Sequence, residues 1–237
     1  MCIVEFKNVS FKYSEYNIID NLSIKFSKNR FEGILGQSGI GKTTLIKLIL
    51  GRLKQDKGEI VRNFKRTGVM FQSDTLIENL SVLKNMLYVT NDKRSAMKFL
   101  QMVGLNDFTH FKAKHLSKGM KKRVEIARAL CIYPELVVMD EPFGNLDLLT
   151  KINLASKIKF HLNELETSFI YITHDIEEAL TICDNITVFY EKPLNINFKR
   201  YIDVQHKNKS ILSKEIKEFI IRTSNRYPDF KSNNIFF

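Results

Sequence analysis

The chain has 237 residues, 44% hydrophobic and 27% charged, with a formal net charge of +11 at neutral pH. That size suits one α/β domain with room for an insertion, and the composition excludes disordered or fibrous classes. No window approaches the roughly 18 apolar residues of a membrane-spanning helix, and the charged, alternating residues 1–11 read as a strand rather than a secretory leader.

The charge admits three meanings: a nucleic-acid partner, anionic headgroups, or solvated surface. The basic residues are scattered, with local runs at 118–123 and 207–214, which favours the solvated surface. Cys2, Cys131 and Cys183 are odd in number and far apart, so they read as free thiols in a reducing compartment. Cys131 and Cys183 flank apolar runs and are expected as small core residues.

In chain order, residues 4–11 alternate with period two and predict a strand. Residues 18–26 predict another, with Asp20-Asn21 as a turn. Tyr13 falls between them, an aromatic placed to stack on a flat ring. Residues 31–35 form an apolar run that predicts a buried strand, and 45–50 carry helical spacing. Gly51 is a helix C-cap, and residues 55–58 a turn. Residues 68–71 are a short apolar run ending at Gln72. From 73 to 129 helical spacing dominates, predicting an inserted helical subdomain. Strand signals return at 136–139, 168–172 and 186–190. A helix is expected over 150–166, its apolar face carrying Ile152, Ala155, Ile158 and Leu162, and another over 176–183. A further helix over 213–222 either packs on the core or frays. Buried strands alternating with helices predict a mostly parallel sheet covered on both faces.

Between the strand at 31–35 and the helix at 45–50 stands Gly36-Gln37-Ser38-Gly39-Ile40-Gly41-Lys42-Thr43-Thr44. Gly36, Gly39 and Gly41 lack a Cβ, so the backbone can curl until successive N–H groups face one concavity. The helix start adds roughly half a positive charge. Lys42 can reach the β- and γ-phosphates and the Thr43 hydroxyl can ligate Mg²⁺, as in a phosphate loop. The second half of such a site is the apolar run 136–139 followed by Asp140-Glu141. Asp140 faces Mg²⁺, typically through water, and Glu141 can polarise the attacking water.

With these motifs the chain resembles the ATP-binding subunits of ABC transporters, over nearly its whole length to about residue 193. The resemblance adds Gln72 at the entry to the helical part. It also adds Leu116-Ser117-Lys118-Gly119-Met120, similar to an L-S-G-G-Q signature, and a following helix at 123–130. Glu141-Pro142-Phe143-Gly144-Asn145-Leu146-Asp147 looks like the family's dimer-contact loop, and Thr173-His174-Asp175 like its histidine switch. Lys118 and Met120 depart from the signature. Ser117 and Gly119, which contact phosphate, are kept, and Lys118 either adds a cation there or points into solvent, the expectation preferred.

The resemblance implies a phosphate-loop NTPase core with an N-terminal antiparallel β part, residues 1–72 and 130–192. It also implies a helical subdomain at 73–129 and a short extension at 193–237. It implies ATP and Mg²⁺ as cofactors, with Thr43, Gln72 and Asp140 on the metal. Two copies would clasp each ATP between the phosphate loop of one and residues 116–120 of the other. Tyr13 would stack on adenine, Glu141 position water, His174 contact the γ-phosphate, and Asp147 touch the partner copy. Leu76 and Ile77 would dock a membrane permease, with a substrate-binding protein acting indirectly and no nucleic acid, at the cytoplasmic face of the membrane. The runs 141–147 and 173–180 are most similar to importers of the nitrate, sulfonate and taurine group, which includes importers of vitamin precursors. Alternatives are an exporter or lipid-handling ATPase of the same fold and, from another class, a soluble ATPase acting on nucleic acid. One phosphate loop and no sustained heptads count against the last.

Overall fold

A computed structural model describes residues 1–144, 146–195, 199–204 and 208–226; side chains of 148, 199–200 and 221–226 are not described. Asn145 of the dimer-contact loop and Lys207 of the second basic run lie outside the described residues. The elements are β1 (Cys2–Tyr13), β2 (Tyr16–Ser27), β3 (Phe31–Leu35), α1 (Lys42–Ile49), β4 (Lys57–Arg62), β5 (Thr67–Met70), α2 (Val82–Leu87), α3 (Lys93–Met102) and α4 (Lys118–Leu130). There follow β6 (Leu136–Asp140), α5 (Leu148–Glu164), β7 (Ser168–Thr173), α6 (Ile176–Ile182), β8 (Asn185–Phe189), β9 (Lys199–Asp203) and α7 (Lys209–Arg226). The strands form a mostly parallel sheet and a three-stranded N-terminal sheet of order β2-β1-β4, the α/β architecture expected.

The chain divides into two compact units. The first comprises Met1–Val4, Lys25–Phe31 and Arg62–Ile172. Within it β5 pairs parallel with β6, and β6 with β7, so that Val138 stands between Val69 and Ile170. Every residue of β6 and β7 is buried, as befits strands covered on both faces. Gly68 admits α4, because a Cβ there would come within 2.0 Å of the Ala129 carbonyl oxygen. The helical insertion is less helical than its sequence suggests. No helix begins before Val82, and α2 has only six residues. The buried face of α5 is Leu154, Ala155, Ile158 and Leu162, while Ile152 is 47% exposed. Ile152 had been expected on the core face, but it lies about 100° round the helix from that stripe.

The second unit comprises Glu5–Ile24, Glu32–Val61 and Thr173–Phe237. Here β3 pairs parallel with β8, and β9 closes antiparallel against β8. The sequence reading missed β9. Asp20-Asn21 is not a turn: β2 runs straight through, with Asn21 at φ 48° and its N–H donating to Ser10 Oγ at 3.0 Å. The expected turn at 55–58 ends inside β4. Gly58 is needed there, since at φ 81° any Cβ would lie 2.3 Å from the Asn8 carbonyl oxygen. Gly51 does close α1: its N–H donates to Leu48, and that of Arg52 to Lys47 at 2.8 Å, the paired bonds of a Schellman cap. The C-terminal helix packs, with Leu212 and Ile216 buried and Phe219 edge-on to Tyr190 at 5.0 Å.

Both predicted core cysteines are buried, at 1% for Cys131 and 3% for Cys183. Burial pushes the Cys131 thiol up to about 11, so it stays protonated and inert near neutral pH. Among the described residues no helix is long and apolar enough to cross a membrane.

Candidate functional site

In the second unit the phosphate-loop candidates form one turn between β3 and α1. Gly39 and Gly41 take φ 75° and 120°, values that residues with a Cβ rarely adopt. A Cβ on Gly41 would also lie 2.9 Å from Ile18, and one on Gly36 would lie 2.9 Å from the Phe189 carbonyl oxygen. Lys42 is only 7% exposed and folds its ammonium back onto the carbonyls of Gly36 and Gln37, at 2.5 and 2.8 Å. That brace holds the loop in an arc and keeps a cation under it. Ile40 is buried, while Gln37, Ser38, Thr43 and Thr44 range from exposed to buried around the turn.

α1 begins at Gly41 with no side-chain cap. By contrast α2, α3, α4, α5 and α6 begin with caps from Ser81, Asp92, Ser117, Asp147 and Asp175. A bare helix start behind a glycine turn is a seat for a phosphate anion.

Tyr13 ends β1, 42% exposed and edge-on to Phe11 at 4.9 Å, so its ring has an accessible face. His174 is exposed between β7 and α6. Its neighbours are rigid: the Asp175 N–H donates to Thr173 Oγ1, and the Asp175 carboxylate accepts from the N–H groups of Glu177 and Glu178.

In the first unit Asp140 ends β6, 4% exposed. Glu141 follows in the left-handed region at φ 49°, its N–H donating to the Ile172 carbonyl at 2.9 Å. A non-glycine residue held there stores of order 1 kcal/mol. At that φ the backbone leaves the extended path of β6 directly after Asp140. The structure joins Glu141 to Gln72, whose Nε2 donates to Glu141 Oε2 at 3.1 Å. Asp140 and the side-chain carbonyl of Gln72, both in this unit, are oxygen donors of the kind that Mg²⁺ takes, and a few ligands suffice for an ion that keeps its waters.

Ser117 is the N-cap of α4, its Oγ accepting from the Met120 N–H at 3.2 Å. Leu116 anchors beneath it, 7% exposed, while Ser117 and Lys118 face solvent and Gly119 and Met120 are half-buried in the first turn. Asp147 caps α5, accepting from the Thr150 N–H at 3.0 Å. Hydrogen bonding from the Thr150 side chain and backbone holds its carboxyl below the ordinary range. Of the two predicted docking residues, Ile77 is 38% exposed but Leu76 is buried at 9%. Leu76 is therefore a core residue, turned inward while the adjacent Ile77 stays exposed.

Sequence reasoning missed a buried polar network on α4. Lys122 and Glu125, 5% and 1% exposed, lie 3.6 Å apart. Lys122 donates to the Gln72 carbonyl at 2.8 Å, and Glu125 accepts from the Thr75 N–H and hydroxyl at 2.5 and 2.7 Å. Arg128 donates to the Thr75 carbonyl, and burial lowers its pKa. The available signal was Lys122 and Glu125 at i,i+3 spacing, but it sits within a basic run that reads as solvated surface.

A glycine turn on an uncapped helix and an acidic pair closing a buried strand are features of the phosphate-loop class of proteins. Residues 19–144 match the ABC transporter family model. The chain is 35% identical over 210 residues to the spermidine/putrescine import ATP-binding protein PotA of Borreliella afzelii, covering 80% of this chain and 60% of that protein. It is 34% identical to the intermembrane phospholipid transport system ATP-binding protein MlaF of Haemophilus influenzae, covering 77% and 78%. Its fold is similar to a dimeric bacterial ABC transporter cassette, MJ0796, with a TM-score of 0.74, 25% identity and coverage of 86% and 100%. The chain belongs to the ABC transporter family. It spans about three fifths of the length of the PotA relatives.

Proposed function

We propose that this chain is the ATP-binding and ATP-hydrolysing subunit of a membrane importer, at the cytoplasmic face. Two copies clasp ATP and Mg²⁺, the phosphate loop of one opposite Ser117 and Gly119 of the other. Lys42 and the α1 start hold the phosphates, and Thr43, Asp140 and Gln72 serve Mg²⁺. When bound, the ion neutralises developing charge on the phosphates. Glu141 orients the water, His174 contacts the γ-phosphate, Tyr13 stacks on adenine, and Asp147 meets the partner copy. We assign residues 1–72 and 130–192 to the core, 73–129 to the helical part and 193–237 to a short extension. Ile77, set over buried Leu76, docks the permease.

The observation that carries this reading is the Gln72–Glu141 hydrogen bond. It links the residue assigned to the cation with the one assigned to the water, which is what hydrolysis, rather than binding alone, requires.

Import is favoured by the PotA likeness, and the runs 141–147 and 173–180 support the nitrate, sulfonate and taurine group. The MlaF likeness supports a second reading, lipid handling. Reconstitution with a candidate permease, with ATPase rates measured on adding small solutes or phospholipid, separates the two. Glu141→Gln tests the enzyme itself: it is expected to bind ATP, accumulate as dimer and lose about 10²–10³ in kcat. Full turnover in that variant overturns the assignment.

A further inference from the structure

The segment after Gln72 has no helix or strand until Val82, with only an isolated bridge at Ser81, yet α4 grips it with four side chains. Lys122 holds the Gln72 carbonyl, Glu125 and Arg128 hold Thr75, and Lys121 pairs with Glu78 at 3.3 Å. Burying an ion pair adds little stability compared with apolar side chains of the same size. The Lys122–Glu125 pair therefore calls for a reason other than stability. Gln72 is held at both ends: its carbonyl by Lys122, and its side-chain amide against Glu141. Lys122 stands on the same helix as the Ser117 cap, five residues on, about 7.5 Å along the axis.

We infer that Lys122 is a positioning residue for ATP hydrolysis. Anchored by Glu125, it ties Gln72, and through Gln72 the Glu141 carboxylate, to the helix that begins at Ser117. The inference rests on the proposed roles of Glu141 and Ser117. In a clasped pair, the Ser117 end of one chain meets the nucleotide of its mate, while Glu141 of that chain acts on its own nucleotide. A rigid tie between them makes engagement of the mate's ATP set the hydrolytic carboxylate at home. Lysine suits the task because its ammonium offers three donors on a compact charge, enough for the Gln72 carbonyl and Glu125 together. Without Lys122, the Gln72 carbonyl would lose its anchor on α4 and Glu141 a fixed partner.

The test is steady-state Mg-ATP hydrolysis by the purified full chain, with binding of a fluorescent ATP analogue and thermal melts alongside. The variants are Lys122→Met, Lys122→Arg, the balanced Lys122→Met/Glu125→Gln, Gln72→Ala, and Lys122→Met/Gln72→Ala. Lys122→Met is expected to lower kcat about tenfold while analogue affinity stays within about twofold, a split that marks a group acting on the transition state. Lys122→Arg should recover most of the rate. In the Gln72→Ala background Lys122→Met should add almost nothing, since the two act in one chain of contacts.

A wild-type rate in Lys122→Met overturns the inference. So does a loss that adds in full to that of Gln72→Ala. So does rate falling together with affinity and melting temperature in both the single and the balanced variant, which marks a structural role alone. Turnover by Glu141→Gln is a different failure: it removes the reading underneath, and this inference with it.

Discussion

The starts of α1 and α4 are both assigned to the phosphates of ATP, yet they are built differently. α1 opens on Gly41 with no side-chain cap, over a loop braced by Lys42. α4 opens on Ser117, which caps the helix itself through the Met120 N–H. Gly41 sits at φ 120°, whereas Gly119 lies within the first turn of α4. The first glycine serves backbone conformation, and the second serves close approach. The difference separates a helix start without a side-chain cap from one satisfied by its own serine. Lys118 fits this division. An exposed cation in the first turn opposes the helix dipole by a few tenths of a kcal/mol, a defect that an arriving anion would remove.

The most damaging way to break the comparison is Gly41→Ala. At that φ, with Ile18 2.9 Å from the new Cβ, the loop must deform, at a cost of about 1–3 kcal/mol. Binding of a fluorescent ATP analogue is expected to weaken by more than about tenfold. Ser117→Ala should do less. It removes a cap worth about 1 kcal/mol, visible in a denaturant melt, and should weaken ATP-dependent dimerisation while leaving nucleotide affinity of the monomer unchanged. An affinity loss equal to that of Gly41→Ala would mean that the two helix starts are not different in kind.

The smallest effect belongs to Asp147, which is fully exposed. Its folded pKa lies below the ordinary 3.8, chiefly through hydrogen bonding from Thr150. A depressed carboxyl contributes stability above its unfolded value and loses it as pH falls through the folded one. Asp147→Ala should therefore flatten the stability curve only below about pH 4, where the carboxylate titrates. Urea midpoints against pH check this, and equal losses at pH 7 and pH 3 would contradict it.

Much of the site was legible in the residues because its parts are local. Gly36 to Thr44 and Asp140-Glu141 are short motifs whose strand context is equally local. Gly51 declared its cap for the same reason. What escaped depends on neighbours far along the chain. Leu76 and Ile77 look alike in sequence, but packing buries one and exposes the other. Ile152 follows helical spacing yet falls outside the stripe that its partners select. β9 forms because β8 offers it an edge, and nothing in residues 199–203 announces that.

The chain's own order of residues was enough to place a glycine turn directly ahead of a helix, the local form of a phosphate loop. Backbone freedom and a lysine at the right step are properties of adjacent residues. Only the three-dimensional arrangement could join Gln72 to Glu141, or Lys122 to Gln72. Those bonds connect residues tens of positions apart, and their partners are chosen by how strands and helices stack.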